Sequence, residues 1–295
     1  MKADARHLIM NLLLGAAGQH LAAREAVASC ALFGIRENNV RVALVRLSAA
    51  GRVKAIGRGE YRLGPSAERL AADVATWRGA EGRVRDWNGS WIAVHVGDLG
   101  RSDRVALRAR DRALGLLGLR ELDRGLFVRP DNLGGGVAVA RERLTKLGLE
   151  PEAAVFVARD LDAARERRAA ALWDGPALSR AYRETRARLE TWLAGADSLA
   201  LDAAARESFL LGNDAIRQLV FDPLLPAPLV DVEARRAFVD AVVRFDAAGH
   251  AIWNRFLRDG VPRRANARAH RASNRTRPPR DASRPLPTST QETPS

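Results

Sequence analysis

The residues best suited to binding another molecule lie between Ile35 and Leu63, where the pattern predicts a helix followed by a β-hairpin. A helix from Arg36 to Ala50 would gather amide, guanidinium and small aliphatic groups on one face. Such groups hydrogen-bond base edges and phosphates and contact thymine methyl groups. The predicted DNA-binding residues are Arg36, Asn38, Asn39, Arg41, Val42, Val45, Arg46 and Arg58.

The opposite face of this helix is apolar and is predicted to pack inward through Val40, Ala43, Leu44 and Leu47. Gly51 suits the left-handed residue that ends many helices. Two short strands, 53–56 and 61–63, flank the turn Gly57–Glu60, which places Arg58 at the tip of a hairpin. An ordinary surface helix and hairpin without a ligand remains the alternative interpretation.

Two further helices are predicted before this stretch, over residues 4–17 and 22–33. Only Gly34 and Ile35 separate the second of them from the helix that begins at Arg36. A short connection containing Gly is typical of a helix-turn-helix, which presents its second helix to the major groove of DNA. The sequence therefore predicts double-stranded DNA as the partner.

The rest of the sequence contains no convincing catalytic or metal-binding motif. A metal-dependent nuclease needs carboxylates that hold divalent ions, whereas the predicted strand Trp91–Val96 contains His95 and no acidic residue. The other histidines have no ligand spacing, and Cys30 is the single cysteine. Gly134–Gly136 lacks the strand-to-helix surroundings of a phosphate-binding loop. We predict no catalytic residue, no metal and no cofactor.

Positive charge is concentrated at the two ends of the 295-residue chain. Residues 1–66 contain ten Lys or Arg against four acidic residues, and residues 261–295 contain eight Arg against two acidic residues. A nonspecific attraction to phosphate would therefore act mainly through these ends. The sequence has no signal-cleavage pattern and no apolar span of 18 residues, which predicts a cytoplasmic protein with no membrane partner.

Residues 86–160 alternate strands and helices in the order β-α-β-β-α-β, which is that of a ferredoxin-like module. The strands are predicted at 91–96, 119–122, 125–128 and 154–157, and the helices at 102–117 and 137–147. The first of these helices is predicted to turn Val105, Ala109 and Leu116 inward. Beyond the module only helices are predicted, at 161–173, 176–194, 200–221 and 233–257.

The sequence thus predicts an α+β protein of several domains. They are a winged helix-turn-helix domain at 1–66, a linker helix at 67–85, a ferredoxin-like domain at 86–160, an α-helical C-terminal domain at 161–260 and a disordered Arg- and Pro-rich tail at 261–295. The six Trp residues suit either buried cores or an aromatic effector pocket, so the sequence locates no effector site.

Several segments resemble the PaaX family of bacterial phenylacetate-degradation repressors. They are 6–10 (RHLIM), 23–27 (AREAV), 32–47 (LFGIRENNVRVALVRL), 117–130 (LGLRELDRGLFVRP), 172–174 (LWD) and 222–226 (DPLLP). The resemblance extends to about Leu257 and leaves the basic tail unmatched. It implies a homodimeric repressor of an aromatic catabolic operon, released from its operator by phenylacetyl-CoA or a related acyl-CoA. It also implies that the middle module is similar to a small nuclease of CRISPR adaptation.

Two other functions remain open. One is a general DNA- or RNA-binding winged-helix protein without a small-molecule effector, and the other is a metal-dependent nuclease that uses the middle module. A regulator keeps a large ratio of specific to random binding at physiological salt, whereas a general binder does not. Cleavage that requires a divalent metal would identify the nuclease.

Overall fold

The computed structural model describes residues 4–15, 20–67, 79–100 and 102–259. All of them belong to the first of two units of the chain, Met1–Val261. Most of the predicted linker helix and the whole predicted basic tail lie outside the described residues.

The N-terminal part combines three helices with a small antiparallel sheet. The helices are α1 (Ala5–Gly15), α2 (Ala23–Ala31) and α3 (Glu37–Ala49), and the strands are β1 (Leu21–Ala22), β2 (Val53–Gly57) and β3 (Glu60–Leu63). The strand order is β1-β3-β2, so β2 forms one edge. Strand β1 is not predicted from the sequence, because a two-residue strand has no periodicity and is defined only by its pairing with β3.

The predicted apolar face of α3 is confirmed. Its four residues, Val40, Ala43, Leu44 and Leu47, are buried in one cluster with residues of α1 and α2. Gly51 follows the helix with a φ of +64°, in the left-handed region that glycine adopts without steric cost. Burial of this face fixes which side of α3 is turned to solvent.

The middle part is a four-stranded antiparallel sheet with two helices. Its strands are β4 (Trp91–His95), β5 (Arg120–Asp123), β6 (Leu126–Pro130) and β7 (Ala154–Ala158), and the helices are α4 (Arg104–Leu116) and α5 (Gly136–Leu147). The strand order is β5-β6-β4-β7, with every neighbouring pair antiparallel. The predicted positions of these four strands and two helices are confirmed to within about two residues.

Strand β4 is buried on both faces. Ile92 and Val94 belong to a core formed with α4 and α5. Trp91 and Ala93 point to the opposite side and belong to a second core formed with the C-terminal helices. The sheet is therefore the middle layer of three, which explains why the sequence of β4 is a continuous apolar run.

The C-terminal part is helical in the described residues. It consists of α6 (Ala163–Ala170), α7 (Gly175–Gly195), α8 (Leu201–Val220) and α9 (Val232–Asp259). Asp162 and Asp174 cap α6 and α7 by accepting hydrogen bonds from backbone N–H groups of the first turn. Phe238 and Phe245 of α9 fill the core that α7 and α8 share. Within the described ranges, no helix is long and apolar enough to cross a membrane.

The predicted inward face of α4 is wrong at Val105 and Leu116, whereas its third residue, Ala109, is half-buried. Val105 is 76% exposed and Leu116 is 37% exposed, whereas Arg110 and Leu114 are buried. Arg110 can occupy the buried face because its Nε donates a hydrogen bond of 3.1 Å to the Glu150 carboxylate. Long charged residues are rarely buried unless they are paired. The polarity of Arg110 alone therefore predicts that its side of α4 faces solvent, whereas that side is buried.

Two leucines of α4 provide a matched test of this orientation. We expect Leu114→Ala to lower the free energy of unfolding by about 2–5 kcal/mol, because it leaves a cavity in a packed core. Leu116→Ala removes the same atoms from a partly exposed site and should cost about 1 kcal/mol or less. Urea unfolding followed by tryptophan fluorescence measures both. Equal losses would contradict the orientation of α4.

Candidate nucleic-acid interface

All eight residues predicted to bind DNA are exposed. Six of them lie on the outer side of α3, and Arg36 is its N-cap. Arg58 lies apart from them, in the turn of the β2–β3 hairpin. Val45 is 68% exposed and Val42 is 41% exposed, so their methyl groups are not covered by the fold. Such uncovered methyl groups are suited to contact with thymine.

The α3 surface also carries a carboxylate that the sequence analysis did not weigh. Arg41 Nε donates a hydrogen bond of 2.9 Å to Glu37 Oε1, one turn earlier on the same helix. Both side chains are exposed, and exposed pairs of this kind contribute about 0.3–0.5 kcal/mol. Arg41 can therefore exchange Glu37 for a base or phosphate at little cost. Arg36 and Arg46 have no ion-pair partner among the described residues.

Two further cations, Lys54 and Arg62, lie on the β2–β3 hairpin. Arg58 and Gly59 form the turn, where Gly59 has a φ of +77°, and the register sets Lys54 directly opposite Arg62. Both are exposed. Like charges in direct cross-strand positions repel each other, and a bound anion would relieve that repulsion. The Gly-rich turn in the sequence predicts a hairpin. It does not predict that Lys54 faces Arg62, because that register depends on a bulge near Ile56 that only the structure reveals.

Contacts with the C-terminal helices hold the N-terminal part in place. Phe33 packs edge-on against Phe209 of α8 with ring centroids 5.3 Å apart. Asn11 Nδ2 donates a hydrogen bond of 2.9 Å to Asn213 Oδ1, also on α8. These contacts involve α1 and the end of α2, so the outer face of α3 stays uncovered.

Neither the middle sheet nor any other described part gathers a set of metal ligands. No group of three or more His, Cys, Asp or Glu side chains is arranged to hold an ion among the described residues. His95 lies at the end of β4 with Nδ1 4.0 Å from the Asp98 carboxylate, and both side chains are solvent-accessible. His95 is thus a residue of the sheet rim.

Packing favours the core interpretation for the buried tryptophans. Trp91 stacks parallel to Trp173 with ring centroids 6.2 Å apart, and its Nε1 donates a hydrogen bond to Glu166. Trp192 packs on Phe245 at 4.9 Å. Trp77 lies outside the described residues. These rings fill the C-terminal core.

Two segments of the chain match models of one protein family. Residues 4–67 match the family model described as PaaX-like protein, and residues 173–255 match the one described as PaaX-like protein C-terminal domain. The chain belongs to the PaaX-like family. The first match contains α3 and the hairpin, and the second contains most of α7, α8 and α9.

The PaaX-like chain also resembles a solved structure, the uncharacterized protein Rv0674 from Mycobacterium tuberculosis. The two share 26% sequence identity with a TM-score of 0.54, and the alignment covers 83% of this chain and 98% of that chain. The similarity therefore includes the middle sheet, which neither family model covers. No curated protein matches the chain.

Cys30 can report whether the core beneath α3 is intact. Burial raises the pKa of its thiol to about 12, and the nearby Asp4 carboxylate contributes in the same direction. Because of this raised pKa, about a thousandfold smaller fraction of the native thiol than of an unfolded thiol should be thiolate at pH 8. Only the thiolate reacts readily, so the native thiol should react slowly. We expect an aromatic disulfide reagent to label Cys30 only as the protein unfolds in urea. Equally fast labelling of the native protein would contradict the burial.

Proposed function

We propose that this PaaX-like protein is a DNA-binding transcriptional repressor whose winged-helix domain occupies residues 1–66. The observation that carries the proposal is the uncovered face of α3, with its free guanidinium, amide and methyl groups, beside a basic hairpin. Membership of the family suggests a regulator of phenylacetate catabolism. The absence of an assembled metal site among the described residues makes the nuclease the weaker alternative.

The proposed domain organisation follows the observed layers. A linker at 67–85 leads from the winged helix to a ferredoxin-like domain at 86–160. The sheet order supports that name, since its first strand, β4, lies between the third and the fourth. A helical domain at 161–260 covers one face of this sheet, and the Arg-rich tail at 261–295 lies outside the described residues.

In the proposed complex α3 enters the major groove. Asn38, Asn39, Arg41 and Arg46 are placed on the face that meets base edges, and Val42 and Val45 face thymine methyl groups. Arg58, Lys54 and Arg62 of the hairpin contact phosphates or the minor groove. A homodimer would bind two half-sites of an inverted repeat in the cytoplasm, and an acyl-CoA such as phenylacetyl-CoA would release it. No catalytic step is part of this function.

Fluorescence anisotropy on the intergenic DNA upstream of the gene tests the function directly. Near physiological salt, we expect tight binding that survives excess random DNA and is released by phenylacetyl-CoA. Binding that survives but ignores the thioester would retain the repressor and exclude that effector. Loss to the competitor would favour the general nucleic-acid binder, and cleavage in Mg²⁺ or Mn²⁺ would favour the nuclease.

A pair of arginine variants separates base contacts from phosphate contacts. Arg41→Ala should weaken operator binding by about 1–3 kcal/mol and affect random DNA much less, because a base contact exists only on the right sequence. Arg62→Ala should weaken both by a similar factor and reduce the slope of log affinity against log salt by about one. Arg206→Ala, an exposed change on α8, is the control and should leave binding unchanged. An equal loss on both DNAs for Arg41→Ala would restrict that residue to phosphate contact.

A further inference from the structure

Four guanidinium groups gather around the loop that leads from β6 into α5. Arg83 and Arg85 lie on a short stretch that pairs with this loop, with Arg85 N donating to Asn132 O at 2.8 Å and Gly134 N donating to Arg83 O at 2.7 Å. Arg129 lies at the end of β6. Arg143 lies on α5.

Two of these cations are already satisfied. Arg85 forms an ion pair with Asp131, whose side chain is nearly buried. Arg129 is buried and donates to the Asn132 side chain at 3.1 Å and to the Pro223 carbonyl at 3.2 Å, among other oxygens. Its hydrogen-bonding capacity is used, but none of these acceptors neutralises its charge.

Arg83 and Arg143 are the two cations that remain available. Among the described residues, no carboxylate lies within ion-pair distance of either guanidinium. Arg83 Nε is buried and has no hydrogen-bond partner. Burial and the charge of Arg143 lower the pKa of Arg83, and the same two causes lower the pKa of Arg129 to about 10. The region therefore holds half-buried positive charge that lacks a counterion.

The charges indicate the class of ligand. Two carboxylates lie close enough to act on the charge of Arg129, namely Asp131, which is already paired with Arg85, and Asp222. Four guanidinium groups beside these two carboxylates leave a net positive charge, which matches a phosphate ester better than a single carboxylate. Planar guanidinium groups bind phosphate oxygens in a bidentate manner. Gly136 lies against the Arg85–Asp131 pair, since a Cβ there would be 3.3 Å from Arg85 Nη2 and 3.6 Å from an Asp131 carboxylate oxygen.

We propose that Arg83 and Arg143, beside the loop Gly134–Gly136, bind the phosphate group of a small molecule. The site lies where the C-terminal end of the proposed linker, which contains Arg83, meets the middle sheet and the connection between α8 and α9. A ligand here would contact the route between the DNA-binding surface and the rest of the chain. Identifying the phosphate with that of an acyl-CoA effector rests on the proposed function.

Calorimetric titration of the full chain with inorganic pyrophosphate tests the site itself. We expect Arg83→Gln and Arg143→Gln each to raise the Kd about tenfold or more, since each removes one charge-assisted contact. Arg206→Gln, which removes an exposed charge on α8, should leave the Kd unchanged. Both test variants should keep or raise the melting temperature, because each relieves repulsion between like charges. Equal Kd values in all four proteins would overturn the proposal.

A second arm separates this site from DNA binding and from the effector. The double variant should bind operator DNA as the parent does, but phenylacetyl-CoA should no longer release it. Weakened DNA binding with unchanged pyrophosphate binding would overturn the proposal and assign the two arginines to DNA. If the parent ignores phenylacetyl-CoA but still binds pyrophosphate through these arginines, the site stands and the proposed effector fails.

Discussion

The architecture depends on a strand that must be covered on both faces. Every residue from Trp91 to Val94 is almost fully buried, so β4 can exist only if two layers of helix exclude water from it. Helices α4 and α5 supply one layer from within the same segment of chain, and the C-terminal helices supply the other. The middle and C-terminal parts are consequently one packed body, joined by the core that contains Trp91 and Trp173.

Buried arginines tie the connecting segments to this body. Arg235 is fully buried on α9, and its Nε donates a hydrogen bond of 2.6 Å to Glu81, which precedes β4 by ten residues. Arg129 reaches the Pro223 carbonyl in the connection between α8 and α9. Removing one partner from a buried pair is costly, because the other charge remains without compensation. These hydrogen bonds hold the segment next to the proposed phosphate site. A change in charge there would act on β6, on α9 and on the connection between α8 and α9.

In the candidate nucleic-acid surface, the two faces of α3 have different roles. The inner residues of α3 are buried against α1 and α2, and this burial stabilises the fold. Its outer residues contribute little to stability, so their types are free to serve recognition. Exposed Val45 and the repelling pair Lys54 and Arg62 cost some stability in the isolated protein. That cost has a physical rationale if methyl groups and phosphates of DNA complete these contacts.

Apart from the short strand β1, the sequence alone determined the order of the main elements, the buried face of α3, the hairpin and the strands of the middle sheet. Periodicity reports which residues must avoid water, and that requirement is local to each element. Only the tertiary structure decided the pairing of β1 with β3, the facing of Lys54 and Arg62, and the orientation of α4. It also decided that, of the many arginines, Arg110 and Arg235 are buried with partners while Arg83 and Arg143 lack a counterion. These properties depend on distances between residues remote in the chain, and the burial of a charge is set by its partner and not by its own polarity.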